Sequence, residues 1–168
     1  MEKTDVVIIG AGIAGIASAY YLQKNFPNLS YRIIESRSSV GGTWDQMRFP
    51  GVRADNDMYT YGFSFDPWNG SIIGNGQEIK NYLSQVTQKF NIKKHILFNA
   101  DVLSLSWKND KWVVKTDSKK FSSQYVICCT GSRNRKNHIY QNLKMKKIIK
   151  ERLYTHKPGE TPNLKTKT

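Results

Sequence analysis

Three glycines near the N-terminus, Gly10, Gly12 and Gly15, form the pattern Gly-x-Gly-x-x-Gly. The pattern lies between an apolar, β-branched run at residues 5–9 and a helix-like segment at residues 16–24, the context in which it binds phosphate. The first glycine permits a tight turn, the second lets a pyrophosphate approach the backbone, and the third lets the helix pack on the strand. The phosphates would lie at the helix N-terminus, where free N–H groups point outward. The alternative is a glycine-rich turn that binds no ligand.

Glu35 lies 20 residues after Gly15 and ends a second β-branched run at residues 31–35. An acidic residue at this place in a dinucleotide-binding unit accepts hydrogen bonds from the ribose hydroxyls. A glutamate without the upstream glycines would be only an exposed strand end. The glycines favour the ligand role and leave two dinucleotides open, NAD and FAD.

The elements that must position these residues form a strand–turn–helix–strand unit over residues 1–35. Parallel strands joined in this way imply a right-handed crossover. Residues 36–76 are rich in Gly, Pro, Asp, Asn and aromatic residues, which is typical of long ordered loops. The spacing of apolar residues predicts a helix over 77–90. Strands are predicted at 96–98, 101–107, 111–116, 119–121 and, as a buried strand ending on glycine, 124–131.

Two further segments bear on the choice of cofactor. A Gly-Gly-Thr-Trp turn at residues 41–44 follows Glu35, and residues 49–55 read Phe-Pro-Gly-Val-Arg-Ala-Asp, followed by an aromatic-rich stretch at 58–65. With the glycine pattern, these segments make the chain resemble the N-terminal FAD-binding part of the class B flavoprotein monooxygenases, the flavin-containing and Baeyer–Villiger monooxygenases. The resemblance covers residues 4–131 and favours FAD.

The resemblance implies an α/β fold: a Rossmann-like FAD-binding domain, a parallel sheet with an inserted β-meander. It also implies which residues bind the adenosine and pyrophosphate parts of FAD. Gly10, Gly12 and Gly15 would hold the pyrophosphate, and Glu35 the adenosine ribose. Val102 would contact the adenine through its backbone.

The flavin half of the cofactor has its own candidate residues. By the same resemblance, Gly42, Thr43 and Trp44 would run along the flavin side of FAD, and Asp55 would lie near the isoalloxazine. No catalytic acid, base or nucleophile and no metal site is predicted, which fits a flavin that does the chemistry while the protein positions it.

Several aromatic residues and both cysteines have structural interpretations. Trp44, Tyr59, Tyr61 and Trp68 could each be core residues, and core packing is preferred for Trp68. The adjacent pair at 128–129 cannot form a disulfide framework, which predicts a reducing, cytoplasmic setting.

The end of the last predicted strand resembles a family hinge. Thr130 and Gly131 match the Thr-Gly of an Ala-Thr-Gly hinge, with Cys129 in the alanine position, where the chain would leave for an NADPH domain. Cys128 and Cys129 are otherwise expected only to lie in a buried strand, since no His or cationic neighbour argues for reactivity.

Length and charge bound the remaining possibilities. A chain of 168 residues is one ordinary domain. No apolar run reaches ~18 residues, so no membrane span is expected, and the acidic residues before the first apolar run exclude a secretory signal.

The net charge of +13 is unevenly distributed along the chain: residues 132–168 hold 11 Lys+Arg and 2 Asp+Glu, a net of +9. The basicity belongs to a tail, and no zinc-ligand, stacking or helix-turn-helix signature predicts specific nucleic-acid binding.

The sequence therefore predicts an incomplete FAD-binding domain at 1–131 and a poorly ordered basic tail at 132–168. Read from the third base of each codon, the tail permits Y-x-G-x-x-x-H-x-x-x-W, which is similar to the Baeyer–Villiger fingerprint F-x-G-x-x-x-H-x-x-x-W. A frameshift near residues 132–136 is the resulting hypothesis.

The function implied by the resemblance is insertion of one oxygen atom from O₂ into a ketone or soft nucleophile, with FAD and NADPH. The sequence contains one Gly-x-Gly-x-x-Gly, so the chain is predicted to be the FAD part of such an enzyme, without the NADPH domain and inactive by itself. Its substrate would be a small molecule. The alternatives are a stand-alone FAD-binding electron-transfer module and a non-functional gene remnant.

Overall fold

The computed structural model describes residues 1–131 of the chain. The predicted basic tail and its frameshift hypothesis lie outside the described residues. Six strands form one sheet in the order β3-β2-β1-β6-β5-β4. The elements are β1 Glu2–Ile9, α1 Ile13–Asn25, β2 Tyr31–Ile34, α2 Thr43–Gln46, α3 Met58–Tyr61, α4 Gly76–Lys89, a 3₁₀ turn at Lys93–His95, β3 Ile96–Leu97, β4 Val102–Lys108, β5 Lys111–Thr116 and β6 Lys120–Cys128.

The first strand is the centre of the parallel part of the sheet. It pairs in parallel with β2 on one side and with β6 on the other, and β2 pairs in parallel with β3. Val7 and Ile8 of β1 are both 0% exposed. Continuous β-branched residues suit this position because a central parallel strand is covered on both faces.

The two faces of the sheet carry separate apolar clusters. Val6 and Ile8 face a cluster that includes residues of α1 and α4. Val7 and Ile9 face the other cluster, with Phe121 of β6. This alternation follows from the two-residue period of a strand, so one short run of β1 contributes to both halves of the core.

The β-meander continues the parallel sheet. Strands β4, β5 and β6 are antiparallel neighbours, and β6 also pairs with β1 from Glu2↔Phe121 to Ile9↔Cys128. The two strands predicted at 119–121 and 124–131 are therefore one strand, which corrects the sequence prediction. The Ser122-Ser123 pair resembles a break in the sequence, yet both serines are buried and pair with β1 and β5 at once.

The end of β6 also differs from the prediction of a buried strand. Cys128 is exposed, Cys129 is only half-buried, and Tyr125 is 58% exposed. The reason is pairing: β5 pairs with β6 only from Lys120 to Ser123. Within residues 1–131, the remainder of β6 has β1 as its single neighbour and forms an open edge.

Trp68 is buried, and its indole Nε1 donates a hydrogen bond to the carbonyl oxygen of Ser71 at 2.8 Å. The preferred interpretation of Trp68 as a core residue is confirmed. Tyr59, in contrast, is 58% exposed. In the part of the chain that the structure describes, no helix is long and apolar enough to cross a membrane.

Candidate functional site

A cavity of about 340 Å³ lies where β1, β2 and β6 end. Its size is within the range of small-molecule sites, and the carboxyl ends of parallel strands are where such sites form in α/β sheets. Seven of the nine predicted site residues line it: Gly10, Gly12, Glu35, Gly42, Thr43, Trp44 and Val102. Gly15 and Asp55 do not.

The glycine loop leaves no room for side chains at two of its three positions. Gly10 has φ +105°, and a Cβ atom there would lie 2.4 Å from the carbonyl oxygen of Cys129. A Cβ atom on Gly15 would lie 1.9 Å from the carbonyl oxygen of Gly10. Gly15 thus lets α1 approach the end of β1, and it contributes to the site by packing.

The N-terminus of α1 opens toward the cavity without a side-chain cap. Gly12 is the N-cap residue and has no side chain to cap the helix, and the first turn carries no acidic residue. The first N–H groups of a helix have no partner within the helix, and they carry its partial positive charge. Because Gly12, Ile13 and Ala14 all line the cavity, this end of α1 suits a phosphate group.

Gly42 lies directly opposite Gly12. A Cβ atom on Gly42 would be 3.0 Å from the Cα atom of Gly12. Gly41 N donates to the carbonyl oxygen of Ala11 at 3.0 Å, which holds the two backbone segments together. The two backbone segments are therefore in van der Waals contact, and both line the cavity without side chains, which leaves room for a pyrophosphate to approach the backbone beside them.

Glu35 is 5% exposed, and its carboxylate holds the loops around it. Oε2 accepts a hydrogen bond from Ala11 N at 2.7 Å, while Oε1 accepts from Arg37 N at 2.9 Å and from Ser36 Oγ at 3.2 Å. A carboxylate has about four acceptor positions. Glu35 therefore ties the glycine loop to the end of β2 and keeps acceptor capacity toward the cavity.

Trp44 contacts the cavity together with Tyr61 of α3. The indole Nε1 donates to the Tyr61 hydroxyl at 3.4 Å, and the two rings meet edge to face with centroids 6.3 Å apart. Both residues are half-buried and line the cavity. The structure thus brings an aromatic wall to the site from two separate short helices, α2 and α3.

The two candidate residues from the later segments lie differently. Val102 begins β4, is buried, and lines the cavity beside Ala100. Asp55 is exposed in the bend before α3 and lies outside the cavity.

The sequence analysis missed Asp45, which is 2% exposed and lies beside the Gly-Gly-Thr-Trp turn. Burial raises the pKa of Asp45, but hydrogen bonds from Lys80 and Ser39 and the charges of Lys80 and Arg48 outweigh burial and hold it at about 2. No spacing rule joins Asp45 to Lys80, which is 35 positions away. A local signal was present in the i,i+3 spacing of Asp45 and Arg48.

The hinge residues at the end of the described chain also border the cavity. Residues 128–131 all line it. Burial raises the pKa of the Cys129 thiol, whose Sγ lies 3.8 Å from Ser18 Oγ. A raised pKa keeps the thiol protonated and unreactive at neutral pH.

This arrangement matches a known class of proteins. Residues 7–158 match the family of pyridine nucleotide-disulphide oxidoreductases, and the chain belongs to that family. The matched range continues past residue 131, where the motifs of the resemblance end.

The more specific relatives are flavin monooxygenases. The chain is 41% identical over 140 residues to the FAD-containing monooxygenase EthA of Mycobacterium tuberculosis, an alignment that covers 79% of this chain and 29% of EthA. It is 46% identical over 143 residues to a protein of Acinetobacter sp named Probable FAD-binding monooxygenase AlmA, covering 80% of this chain and 29% of that protein.

Solved structures agree with these relatives. A steroid monooxygenase bound to NADP superimposes with a TM-score of 0.74 at 31% identity, over 81% of this chain and 27% of that chain. An open structure of cyclohexanone monooxygenase gives a TM-score of 0.74 at 29% identity, over 82% of this chain and 29% of that chain. The predicted resemblance and α/β fold class are confirmed, and the chain spans less than a third of the length of these relatives.

Proposed function

We propose that this chain binds FAD in the cavity at the ends of β1, β2 and β6 and is the FAD-binding part of a flavin-dependent, NADPH-requiring monooxygenase. The observation that carries the proposal is the backbone of Gly10, Gly12 and Gly42, which lines the cavity without side chains at the N-terminus of α1. A pyrophosphate needs close backbone approach and the N–H donors of a helix N-terminus, and this end of the cavity offers both.

Each residue of the site has a task in this proposal. The loop containing Gly10 and Gly12 binds the pyrophosphate. Gly15 lets α1 pack close to the end of β1, so that the N-terminus of α1 reaches the pyrophosphate. Glu35 accepts hydrogen bonds from the adenosine ribose, and Val102 borders the adenine with its backbone.

The residues on the flavin side position the ring system and limit its exposure to water. The backbone at Gly42 and Thr43 runs along the cofactor. The Trp44 indole, which donates a hydrogen bond to Tyr61, forms a wall beside the cofactor. Asp55 lies outside the cavity, and its place near the isoalloxazine stays a prediction. The flavin, when bound, supplies the redox chemistry by accepting electrons from NADPH and passing them to O₂.

The whole activity is proposed on the strength of relatives of whose length this chain covers less than a third. The domain assignment of residues 1–131 as the FAD-binding unit is part of this proposal. The 168-residue polypeptide by itself is expected to give no NADPH oxidation, because its sequence has one glycine pattern for two dinucleotides.

Flavin content tests the proposal directly. The full 168-residue chain, incubated with excess FAD and passed over a desalting column, should retain one FAD per chain, measured by visible absorbance against protein concentration. Retained FAD with no oxidation of added NADPH is the expected pair of results. A folded chain that retains no flavin contradicts the FAD site, and NADPH oxidation by the pure chain contradicts the proposed inactivity.

A stand-alone electron-transfer module is the second candidate, and the edge that β6 leaves open within residues 1–131 favours it. Tyr125 is exposed on β6, and the exposed Cys128 lines the cavity, so a partner protein could cover the sheet here. This candidate predicts the same flavin content but reduction of the bound FAD by a reductase partner. An aggregated chain without flavin would instead indicate a non-functional remnant.

A further inference from the structure

We propose that Asp45 is a positioning residue of the cofactor site, and that its buried carboxylate holds the turn at residues 41–44 against the glycine loop. The inference rests on the FAD-binding function proposed above. Asp45 does not line the cavity. Its effect on the cofactor therefore passes through the turn that it holds.

The carboxylate of Asp45 is the meeting point of four side chains. Ser39 Oγ and Lys80 Nζ each lie 2.7 Å from Oδ1, and Arg48 Nη2 lies 3.2 Å from the same oxygen. Arg37 Nη1 lies 3.3 Å from Oδ2. A carboxylate that is 2% exposed is stable when its oxygens are hydrogen-bonded in this way.

These four partners come from three parts of the fold. Arg37 and Ser39 lie in the loop after β2, Lys80 lies on α4, and Arg48 follows α2. Helix α2, which carries Asp45, has only four residues and cannot be stable through its own hydrogen bonds. The carboxylate therefore fixes α2 to the β2 loop and to α4.

The turn before Asp45 needs such an anchor. Gly41 has φ +129° and Gly42 has φ +54°, and a Cβ atom on Gly41 would lie 3.2 Å from the Cβ atom of Asp45. The same turn meets the glycine loop through the hydrogen bond from Gly41 N to the carbonyl oxygen of Ala11. If Asp45 loses its partners, the part of the cavity wall that Gly41 and Gly42 form beside Gly12 is no longer held.

The charge of Asp45 provides a test, because a charge effect and a positioning effect predict opposite changes in FAD affinity for the same substitution. FAD is anionic at its pyrophosphate, so a nearby carboxylate is unfavourable by Coulomb's law alone. If Asp45 acted only through its charge, Asp45→Asn would strengthen FAD binding. If it acts by positioning the turn, the same substitution weakens FAD binding, although a negative charge has been removed.

The experiment measures FAD dissociation constants for the full chain and its variants by titration. Asp45→Asn should raise the dissociation constant at least about tenfold, the factor that corresponds to ~1.4 kcal/mol. The matched control is Asp5→Asn, since Asp5 also accepts two hydrogen bonds, from Ser30 N and Oγ at 2.7 Å, but at the opposite end of the sheet. Unchanged or tighter FAD binding in Asp45→Asn, or equal weakening in both variants, overturns the proposal.

A second measurement needs no cofactor. The amides of Trp44, Gln46 and Met47 donate to carbonyls at 41–43, and their hydrogen exchange reports on the turn. Without FAD, exchange of these amides should be faster in Asp45→Asn and unchanged in Asp5→Asn. Unaltered exchange overturns the positioning role. A wild-type chain that binds no FAD overturns the proposed function and leaves this test valid.

A milder variant covers the case in which Asp45→Asn does not fold. Ser39→Ala removes one hydrogen bond to the carboxylate and changes no charge. It should weaken FAD binding and accelerate exchange in the same turn, by smaller factors. Wild-type values for both quantities in Ser39→Ala would contradict the proposal.

Discussion

Gly12 and Gly15 belong to the same short pattern, yet a methyl group would act differently at the two positions. At Gly15 a Cβ atom would lie 1.9 Å from the carbonyl oxygen of Gly10, whereas at Gly12 the nearest atom, the Cα of Gly42, is 3.5 Å away. The first contact forces α1 away from β1. The second is an ordinary van der Waals contact that the fold can accept, but the methyl group would keep the proposed pyrophosphate away from the backbone.

We therefore expect Gly15→Ala to lower the free energy of unfolding by about 2–4 kcal/mol, as overpacked sites do. Gly12→Ala should change it by less than about 1 kcal/mol but should weaken FAD binding more than about tenfold. Urea unfolding and FAD titration of both variants measure the two effects. Tight FAD binding by Gly12→Ala would show that the pyrophosphate does not approach the backbone at Gly12.

Asp45 also predicts how stability depends on pH. The pKa of Asp45 in the folded chain is about 2, below its ordinary value of 3.8, because the hydrogen bonds and cations around it outweigh burial. The unfolded chain therefore binds the proton first as the pH falls, and the carboxylate stabilises the fold fully above pH ~4.

The difference in unfolding free energy between wild type and Asp45→Asn should be constant above pH ~4 and shrink toward pH ~2. Urea unfolding of both proteins at a series of pH values gives this difference. If the difference in unfolding free energy stays constant down to pH ~2, the ionised carboxylate of Asp45 does not stabilise the fold.

At the scale of elements, α4 begins with a reciprocal capping box. Glu78 N donates to Asn75 Oδ1 at 2.9 Å, and Asn75 N donates to Glu78 Oε2 at 2.9 Å. Asn75→Ala should therefore lower the free energy of unfolding by about 1 kcal/mol. Asn81→Ala, which removes only an exposed contact with Gln77, should cost less than about 0.5 kcal/mol. Thermal unfolding compares the two, and equal losses would argue against the cap.

The same scale shows why some elements were predictable. The strands β1, β2 and β5 and the helix α4 follow local patterns, and their predicted bounds differ from those of the structure by at most three residues. The β6 prediction was wrong because two serines in a strand look like a turn. Their burial depends on β1 and β5 pairing on either side, which no local pattern records.

At the scale of the whole molecule, most of the positive charge lies in residues 132–168. Residues 132–168 carry a net of +9 of the total +13. The Lys and Arg side chains of such a segment can contact phosphate groups, with an affinity that falls as the salt concentration rises and does not depend on the sequence of a nucleic acid.

Removal of residues 132–168 should abolish salt-sensitive retention on a phosphate-bearing column and leave FAD affinity within about twofold of wild type. Salt titration of column retention and FAD titration measure the two properties separately. Loss of FAD binding on truncation would place part of the cofactor site beyond residue 131.

The sequence by itself determined the glycine loop, Glu35 and the β-branched strands, because each depends on residues a few positions apart or on one βαβ unit. It also indicated seven residues that the fold brings to one cavity. Only the tertiary structure decided the position of Asp55 outside that cavity, the open edge at Cys128 and the partners of Asp45. Those features are contacts between residues distant in the chain, and their free energy exists only once the sheet and α4 have packed.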